Sequence, residues 1–269
     1  MKDPIKISVL GAAGRMGRMI LKAITENNRT SLVGATEHEG HKWIGQDIGK
    51  LMLGKENGIL VSNEPHEVIM QSQAIIDFTQ SEVSVDYSAL AAQARIVHVI
   101  GTTGFSKSQL EKFELAAQHA VIIRAGNMSL GVNLLTVLTQ KVAKALNEDY
   151  DIEILEMHHN KKIDAPSGTA LMLGEAAANG RGVPLTNPSE NSIFDLKAER
   201  KKGSIGFASL RGGDVVGEHD VIFSTSGERV ILRHVATDRM VFARGAVKAA
   251  VWGVGKEPGQ YNMIDVLSL

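Results

Sequence analysis

Residues 5–20 read IKISVLGAAGRMGRMI, and this stretch decides the fold. Ile5–Leu10 is an apolar run of strand length, and from Arg15 the spacing becomes that of an amphipathic helix. Gly11, Gly14 and Gly17 punctuate the turn between them, with Ala12, Ala13, Arg15 and Met16 filling the gaps. A strand-to-helix turn of this kind suits a pyrophosphate. Gly11 permits the tight turn, Gly14 lets backbone approach the phosphates, and Gly17 lets the helix pack on the strand. The helix N-terminus adds N–H donors and the positive end of a dipole. The spacing is G-x-x-G-x-x-G rather than G-x-G-x-x-G, so the context carries the assignment. SLVGAT reads as a second strand, and Glu37 closes it, 20 residues after Gly17. A carboxylate there meets the ribose hydroxyls of a dinucleotide. The alternative is a structural turn with a surface glutamate. A carboxylate favours NADH, whereas a 2′-phosphate wants a cation, for which His38 and Arg15 are candidates. The expectation is that NADH and NADPH are both usable, with Michaelis constants differing by less than about a thousand-fold.

Working outward, AIIDFT (74–79), RIVHVIGTTG (95–104) and AVIIRAGN (120–127) repeat the β-rich pattern, with helical patterns between them. Ser106 is placed to cap one of those helices. Such alternation predicts a parallel sheet with right-handed crossovers. Ligands bind at the carboxyl ends of strands in these sheets. Gly101, Thr102 and Thr103 are therefore candidates for the nicotinamide half of the cofactor, as are Ala125, Gly126 and Asn127; ordinary turns are the alternative. After Asn127 the rhythm changes. A long helix, the strand YDIEILEMHH, a second helix and a polar segment from Arg181 to Lys202 lead to GSIGFASLR, EHDVIFSTS and ERVILRHVA. Short turns join these last three runs, so that region should be antiparallel or mixed. DRMVFARGAVKAAVWGVG then reads as a helix ending at glycine. The predicted class is α/β, a parallel-sheet domain followed by a smaller α+β domain.

The 269 residues allow one large domain or two modest ones, and 43% apolar residues provide a sizeable core. Net charge is −1, which gives no general attraction to nucleic acid or to an anionic membrane. A basic site in such a chain is local and suits a small anion. The absence of cysteine excludes disulfides, thiolate metal sites and a cysteine nucleophile, and fits a reducing cytoplasm. No signal peptide is expected, because the N-terminal apolar run is short and feeds the glycine turn. No run approaches about eighteen apolar residues, so no membrane span is expected.

EMHHNKKIDAPSGTA (156–170) gathers His158, His159, Lys161 and Lys162 ahead of a helix start. Neighbours on a strand point to opposite faces, so the two histidines share a face only if the strand ends there. Pro166 and Ser167 are helix-start residues, and Gly168 and Thr169 then offer backbone N–H groups to a carboxylate. Lys161 or Lys162 supplies a point charge for a second anion, and a histidine donates a proton near neutral pH. The cluster suits a small dicarboxylate receiving hydride and a proton. A two-histidine metal site is the rival; no H-E-x-x-H spacing or third clustered ligand supports it. Glu156 and Asp164 are placed by sequence proximity to orient the cluster.

VLGAAGRMG, IDFT, VIGTTGF, EMHHNKKIDAPSGTA, GFASLRGGDVVGEH and RMVFARGAVKAAVW together resemble, in order and along essentially the whole chain, the 4-hydroxy-tetrahydrodipicolinate (dihydrodipicolinate) reductase family of lysine and diaminopimelate biosynthesis. The resemblance implies reduction of a hydroxylated cyclic dicarboxylate to tetrahydrodipicolinate by NADH or NADPH. It implies His158 as general acid and Lys162 as catalytic and substrate-holding lysine, with His159, Gly168 and Thr169 as further substrate contacts. Cofactor contacts would come from Gly11 to Gly17, Glu37, His38, Gly101 to Thr103 and Ala125 to Met128. Many members have arginine where this chain has His38, so strong NADPH preference is not implied. The layout it implies is a Rossmann-type domain (1–127), a mixed-sheet substrate and tetramerisation domain (128–238) and a C-terminal segment (239–269) returning to the first. Alternatives are another small-dicarboxylate reductase, such as one resembling aspartate dehydrogenase, and a dinucleotide-sensing regulator; the latter lacks a basic DNA-reading helix.

Overall fold

A computed structural model describes residues 3–185, 200 and 202–269. The chain divides into two compact units, Met1–Ser129 with Met240–Ser268, and Leu130–Arg239 with Leu269.

The first unit opens with β1 (Ile5–Leu10), α1 (Arg15–Thr25), β2 (Thr30–Thr36), α2 (Ile48–Leu53), β3 (Val61–Ser62) and α3 (Pro65–Met70). It continues with β4 (Ala74–Asp77), α4 (Ser81–Ala94), β5 (Val97–Ile100), α5 (Lys107–Ala116) and β6 (Val121–Arg124). All its strands pair in parallel, in the order β11-β6-β5-β4-β1-β2-β3, where β11 (Gly259–Tyr261) comes from the C-terminal part of the chain. β4 and β5 are buried along their whole length, as both faces of a parallel sheet must be. The order reverses direction on either side of β1, which puts the turn after β1 at the switch point. Gly11 has φ +73° there, a conformation that favours glycine. A Cβ at Gly17 would fall on the carbonyl oxygen of Gly11, so the close helix–strand approach depends on its absence. Ser106 caps α5 in a reciprocal box with Gln109, as its position predicts.

The second unit holds α6 (Leu130–Leu146), β7 (Asp151–His158), α7 (Gly168–Arg181), β8 (Ile205–Arg211), β9 (Gly217–Thr225) and β10 (Glu228–Ala236). Its sheet is mixed, in the order β10-β9-β7-β8, with β7 parallel to β8 and antiparallel to β9. One face buries Ile152, Ile154, Phe207, Val221 and Phe223 against α6 and α7. The opposite face carries Leu155, Met157, Leu210, Ile222, Ile231 and Val235. The chain then enters α8 (Met240–Gly253), β11 (Gly259–Tyr261) and α9 (Met263–Leu267) in the first unit. Gly245 of α8 packs so close to the Met128 carbonyl that a side chain there has no room. Most of the polar segment from Arg181 to Lys202, residues 186–199 and 201, lies outside the described residues. No helix among the described residues is long and apolar enough to cross a membrane.

Candidate active site

In the first unit the glycine turn is closed by its own hydrogen bonds. Gly11 and Ala12 N–H both donate to the Thr36 carbonyl at 3.0 Å, and Gly14 N–H donates to that of Gly11 at 3.2 Å. Ala13 N–H donates to Glu37 Oε1 at 2.6 Å. The donors left to face an anion are the first-turn N–H groups of α1, from Arg15 and Met16, which no helical carbonyl reaches. Gly14 caps α1 without a side chain, so its position offers those groups no capping oxygen. This cradle fits a pyrophosphate, and Glu37, immediately after β2, fits a ribose. His38 beside it is exposed, with Nδ1 against the Glu39 carbonyl at 2.9 Å. Among the described residues, the histidine and carboxylate atoms grouped with metal-ligand spacing belong to Glu37, His38 and His41; His158 and His159 are not in that group.

The other candidate loops follow β5 and β6. Gly101 lies flat against the Phe78 ring, where a Cβ would clash. Thr102 is half-buried, its hydroxyl donating to the Thr79 carbonyl at 3.3 Å, and Thr103 is exposed. After β6, Ala125 and Asn127 are half-buried, Gly126 is exposed and Met128 is buried. Asn127 Oδ1 accepts the Ser129 N–H at 2.8 Å, fixing that turn.

In the second unit, Glu156 and His158 continue the inward register of Ile152 and Ile154 to the end of β7. Both are buried, and His159 lies beyond the strand. Register supplies their partners: β7–β8 pairing sets Arg211 opposite His158, and β7–β9 pairing sets His219 opposite Glu156. Arg211 grips Glu156 with two bonds of 2.8 and 2.9 Å, a fork that matches the carboxylate plane. Ser167 N–H adds a third at 3.2 Å, and His158 Nδ1 lies 2.6 Å from Oε2. An ionised carboxylate only accepts, so Nδ1 carries a proton and Nε2 is the end left for chemistry. A Cβ at residue 217 would stand 3.0 Å from that Nε2, so Gly217 keeps it uncrowded.

Ser167 caps α7, its hydroxyl accepting the Ala170 N–H at 3.2 Å and meeting His219 Nε2 at the same distance. The helix therefore starts where Pro166 and Ser167 predict, with exposed Gly168 and half-buried Thr169 in its first turn. Lys162 is held by both oxygens of Asp164 at 2.8 Å, while Lys161 is exposed. Lys162 also holds the Asp164 carboxyl below its usual range. Sequence proximity pointed to Glu156 and Asp164; it did not find Arg211 or His219. Both lie in GFASLRGGDVVGEH, where no local pattern marks them as partners of Glu156.

The same contacts set an acid sensitivity. Burial would raise Glu156, but bonds from His158, Arg211 and Ser209 outweigh it and bring the carboxyl from 4.5 to about 2. Burial, reinforced by His158, lowers His219 from 6.5 to about 4. From about pH 6.5 to 4 the unfolded chain takes a proton at residue 219 that the folded chain refuses; from about 4.5 to 2 the same holds at residue 156. Both slopes have one sign, so stability rises with pH and is lost on acidification. The Glu156 contribution is on the order of 3 kcal/mol. Urea unfolding of the second unit, followed from about pH 7 to pH 3.5, should show a steadily falling midpoint; a flat profile contradicts these contacts.

A switch-point glycine turn followed by a carboxylate, carried in one chain with a sheet-borne histidine and a lysine ahead of a helix start, fits a dinucleotide-dependent oxidoreductase. Family models place it further: "Dihydrodipicolinate reductase, N-terminus" matches residues 5–128 and "Dihydrodipicolinate reductase, C-terminus" matches residues 131–267. The chain belongs to the dihydrodipicolinate reductase family. A 4-hydroxy-tetrahydrodipicolinate reductase of Ruegeria pomeroyi is 58% identical over 263 residues, 98% of either chain. One from Cereibacter sphaeroides is 58% identical over 269 residues, the whole of both chains. Among solved structures, a dipicolinate-bound dihydrodipicolinate reductase from Paenisporosarcina sp. TG-14 shares the fold, with TM-score 0.76 and 23% identity over 97% of this chain and 98% of that one.

Proposed function

We propose that the chain reduces the hydroxylated cyclic dicarboxylate 4-hydroxy-tetrahydrodipicolinate, with loss of water, to tetrahydrodipicolinate in lysine and diaminopimelate biosynthesis. The observation that carries this reading is His158, held through Nδ1 by a clamped Glu156, in the same turn region as Lys162 and the start of α7. Bound NADH or NADPH supplies the hydride. His158, protonated on both nitrogens, gives its Nε2 proton to the substrate and keeps its Nδ1 proton on Glu156. Lys162 leaves Asp164 for a substrate carboxylate; Gly168 and Thr169 N–H receive the second, with His159 alongside. Arg15 and Met16 N–H hold the pyrophosphate, Glu37 the adenosine ribose, and the loops at Gly101–Thr103 and Ala125–Met128 the nicotinamide end. Residues 1–127 with 239–269 serve the cofactor, and 128–238 the substrate. The cysteine-free sequence is compatible with the reducing cytoplasm, where we place the reaction.

Dipicolinate, a flat dicarboxylate of the substrate's size, tests the anion site without turnover. It should bind the wild-type chain and compete with substrate. Lys162→Ala should weaken it about tenfold or more while leaving NADH binding unchanged. Dipicolinate affinity indifferent to Lys162 removes that assignment.

The reading also includes a homotetramer assembled on the outward face of the second sheet. Leu210, Ile231 and Val235 are 48%, 51% and 46% exposed there, on one face with Leu155, Met157 and Ile222 around the Asp220–Arg233 ion pair, and that exposed apolar surface calls for a cover. Light scattering should return about four times 28.9 kDa, and Ile231→Arg should lower it. A monomeric wild-type chain contradicts this.

A further inference from the structure

His98 is a histidine in the middle of β5, with no exposed surface. Its strand reads VHVI and is buried on both faces, where an apolar residue needs no partner and a histidine does. Its partner is Asp77, the last residue of β4 and equally buried: His98 Nε2 lies 3.3 Å from Asp77 Oδ2. Among the described residues His98 Nδ1 meets no polar partner, so the contact with Asp77 is the polar link that holds the ring. Neither residue has a part in the chemistry above.

What Asp77 does with its other oxygen gives the pair a use. Oδ1 accepts both the N–H of Thr79, at 2.8 Å, and its hydroxyl, at 2.6 Å. Ser84, fully buried, donates its hydroxyl to that of Thr102 at 3.1 Å. The Thr102 hydroxyl in turn donates to the Thr79 carbonyl at 3.3 Å, and Gly101 N–H donates to the Asp77 carbonyl at 2.9 Å. Burial works against an ionised Asp77, and the bonds from His98 and Thr79 outweigh it. The loop Gly101–Thr103 is thus tied at its backbone to the main-chain carbonyl of Asp77, and at its one half-buried hydroxyl to the carbonyl of Thr79, the residue whose N–H and hydroxyl the Asp77 carboxylate holds. That carboxylate is held from behind by one histidine.

We propose that His98 is a positioning residue for the nicotinamide half of the cofactor site: by donating Nε2–H to Asp77 it fixes the carboxylate that, through Thr79 and Thr102, shapes the loop Gly101–Thr103. The proposal rests on the dinucleotide reading of the first unit. The adenosine half, at Glu37 and the start of α1, lies outside this chain of bonds.

That separation supplies the test. NADH and ADP-ribose, which lacks the nicotinamide, are titrated into the full-length protein and its variants. Wild type should bind NADH more tightly than ADP-ribose. His98→Leu should weaken NADH about tenfold or more, toward the ADP-ribose value, and leave ADP-ribose unchanged. His98→Gln, which offers a donor near the position of Nε2, should restore NADH binding to within about threefold. A merely structural role lowers the melting temperature and moves both ligands together or neither. Unchanged NADH binding by His98→Leu, or parallel loss of both ligands, overturns the proposal. Should His98→Leu not fold, Thr102→Val removes the hydroxyl at the other end of the network and should show the same selective loss; unchanged NADH affinity there overturns it equally. Wild-type protein that binds neither ligand overturns the dinucleotide reading itself, and the proposal with it.

Discussion

His158→Gln is expected to lower turnover by about 10²- to 10³-fold and to leave NADH affinity unchanged. Glutamine fills much of the same volume and keeps hydrogen bonds within reach, but it has no proton to give near neutral pH. His158 belongs to the second unit, and the glycine turn and Glu37 to the first. Steady-state turnover with saturating substrate, together with a separate NADH titration, checks the expectation. Equal losses in turnover and cofactor affinity would mean that the substitution had disturbed more than a proton donor. Near-normal turnover would remove His158 from its role.

Glu156→Gln should cost both activity and stability. The carboxylate takes two bonds from Arg211, one from Ser167 N–H and one from His158 Nδ1. An amide has one acceptor oxygen, and its NH₂ would face donors. Arg211 then keeps its charge without its partner, a situation that typically costs about 3–5 kcal/mol when the pair is buried. Arg211 is 21% exposed, so the lower end of that range applies. Turnover should fall on the order of 10²-fold, because the imidazole loses the acceptor that fixes which nitrogen holds its resting proton. The acid-sensitive part of the stability profile should flatten below about pH 4.5, since the titrating group is gone. Arg211→Met, which removes the fork from the other side, should share the stability loss and show a smaller kinetic effect. A Glu156→Gln variant with wild-type stability and turnover would reduce the buried network to a packing detail.

Much of the first unit was legible because its cues are local. Ile5–Leu10, the three glycines and Glu37 lie within 33 residues, and β4 and β6 each carry a short apolar run, AII and VII. The short elements were not legible: β3 has two residues and β11 three, too few to show any periodicity. In the second unit, sequence reading found the mixed sheet but not its order, because the parallel pairing of β7 with β8 is set across the intervening α7. The candidate site divides in the same way. Residues 156–170 announce themselves by crowding. Arg211 and His219 come from 50 or more residues further on and reach Glu156 only through strand register. Asp77 and His98 were quoted inside strand patterns, where a charged residue at a strand end and a histidine within one gave no sign of meeting.

The most direct test is a coupled assay in which the preceding synthase makes the cyclic substrate in place from pyruvate and aspartate semialdehyde, and oxidation of NADH or NADPH is followed on adding this protein. The account predicts oxidation that depends on the synthase, with both cofactors, at efficiencies within about a thousand-fold of each other. No synthase-dependent oxidation with either cofactor, from protein that binds NADH, would contradict it.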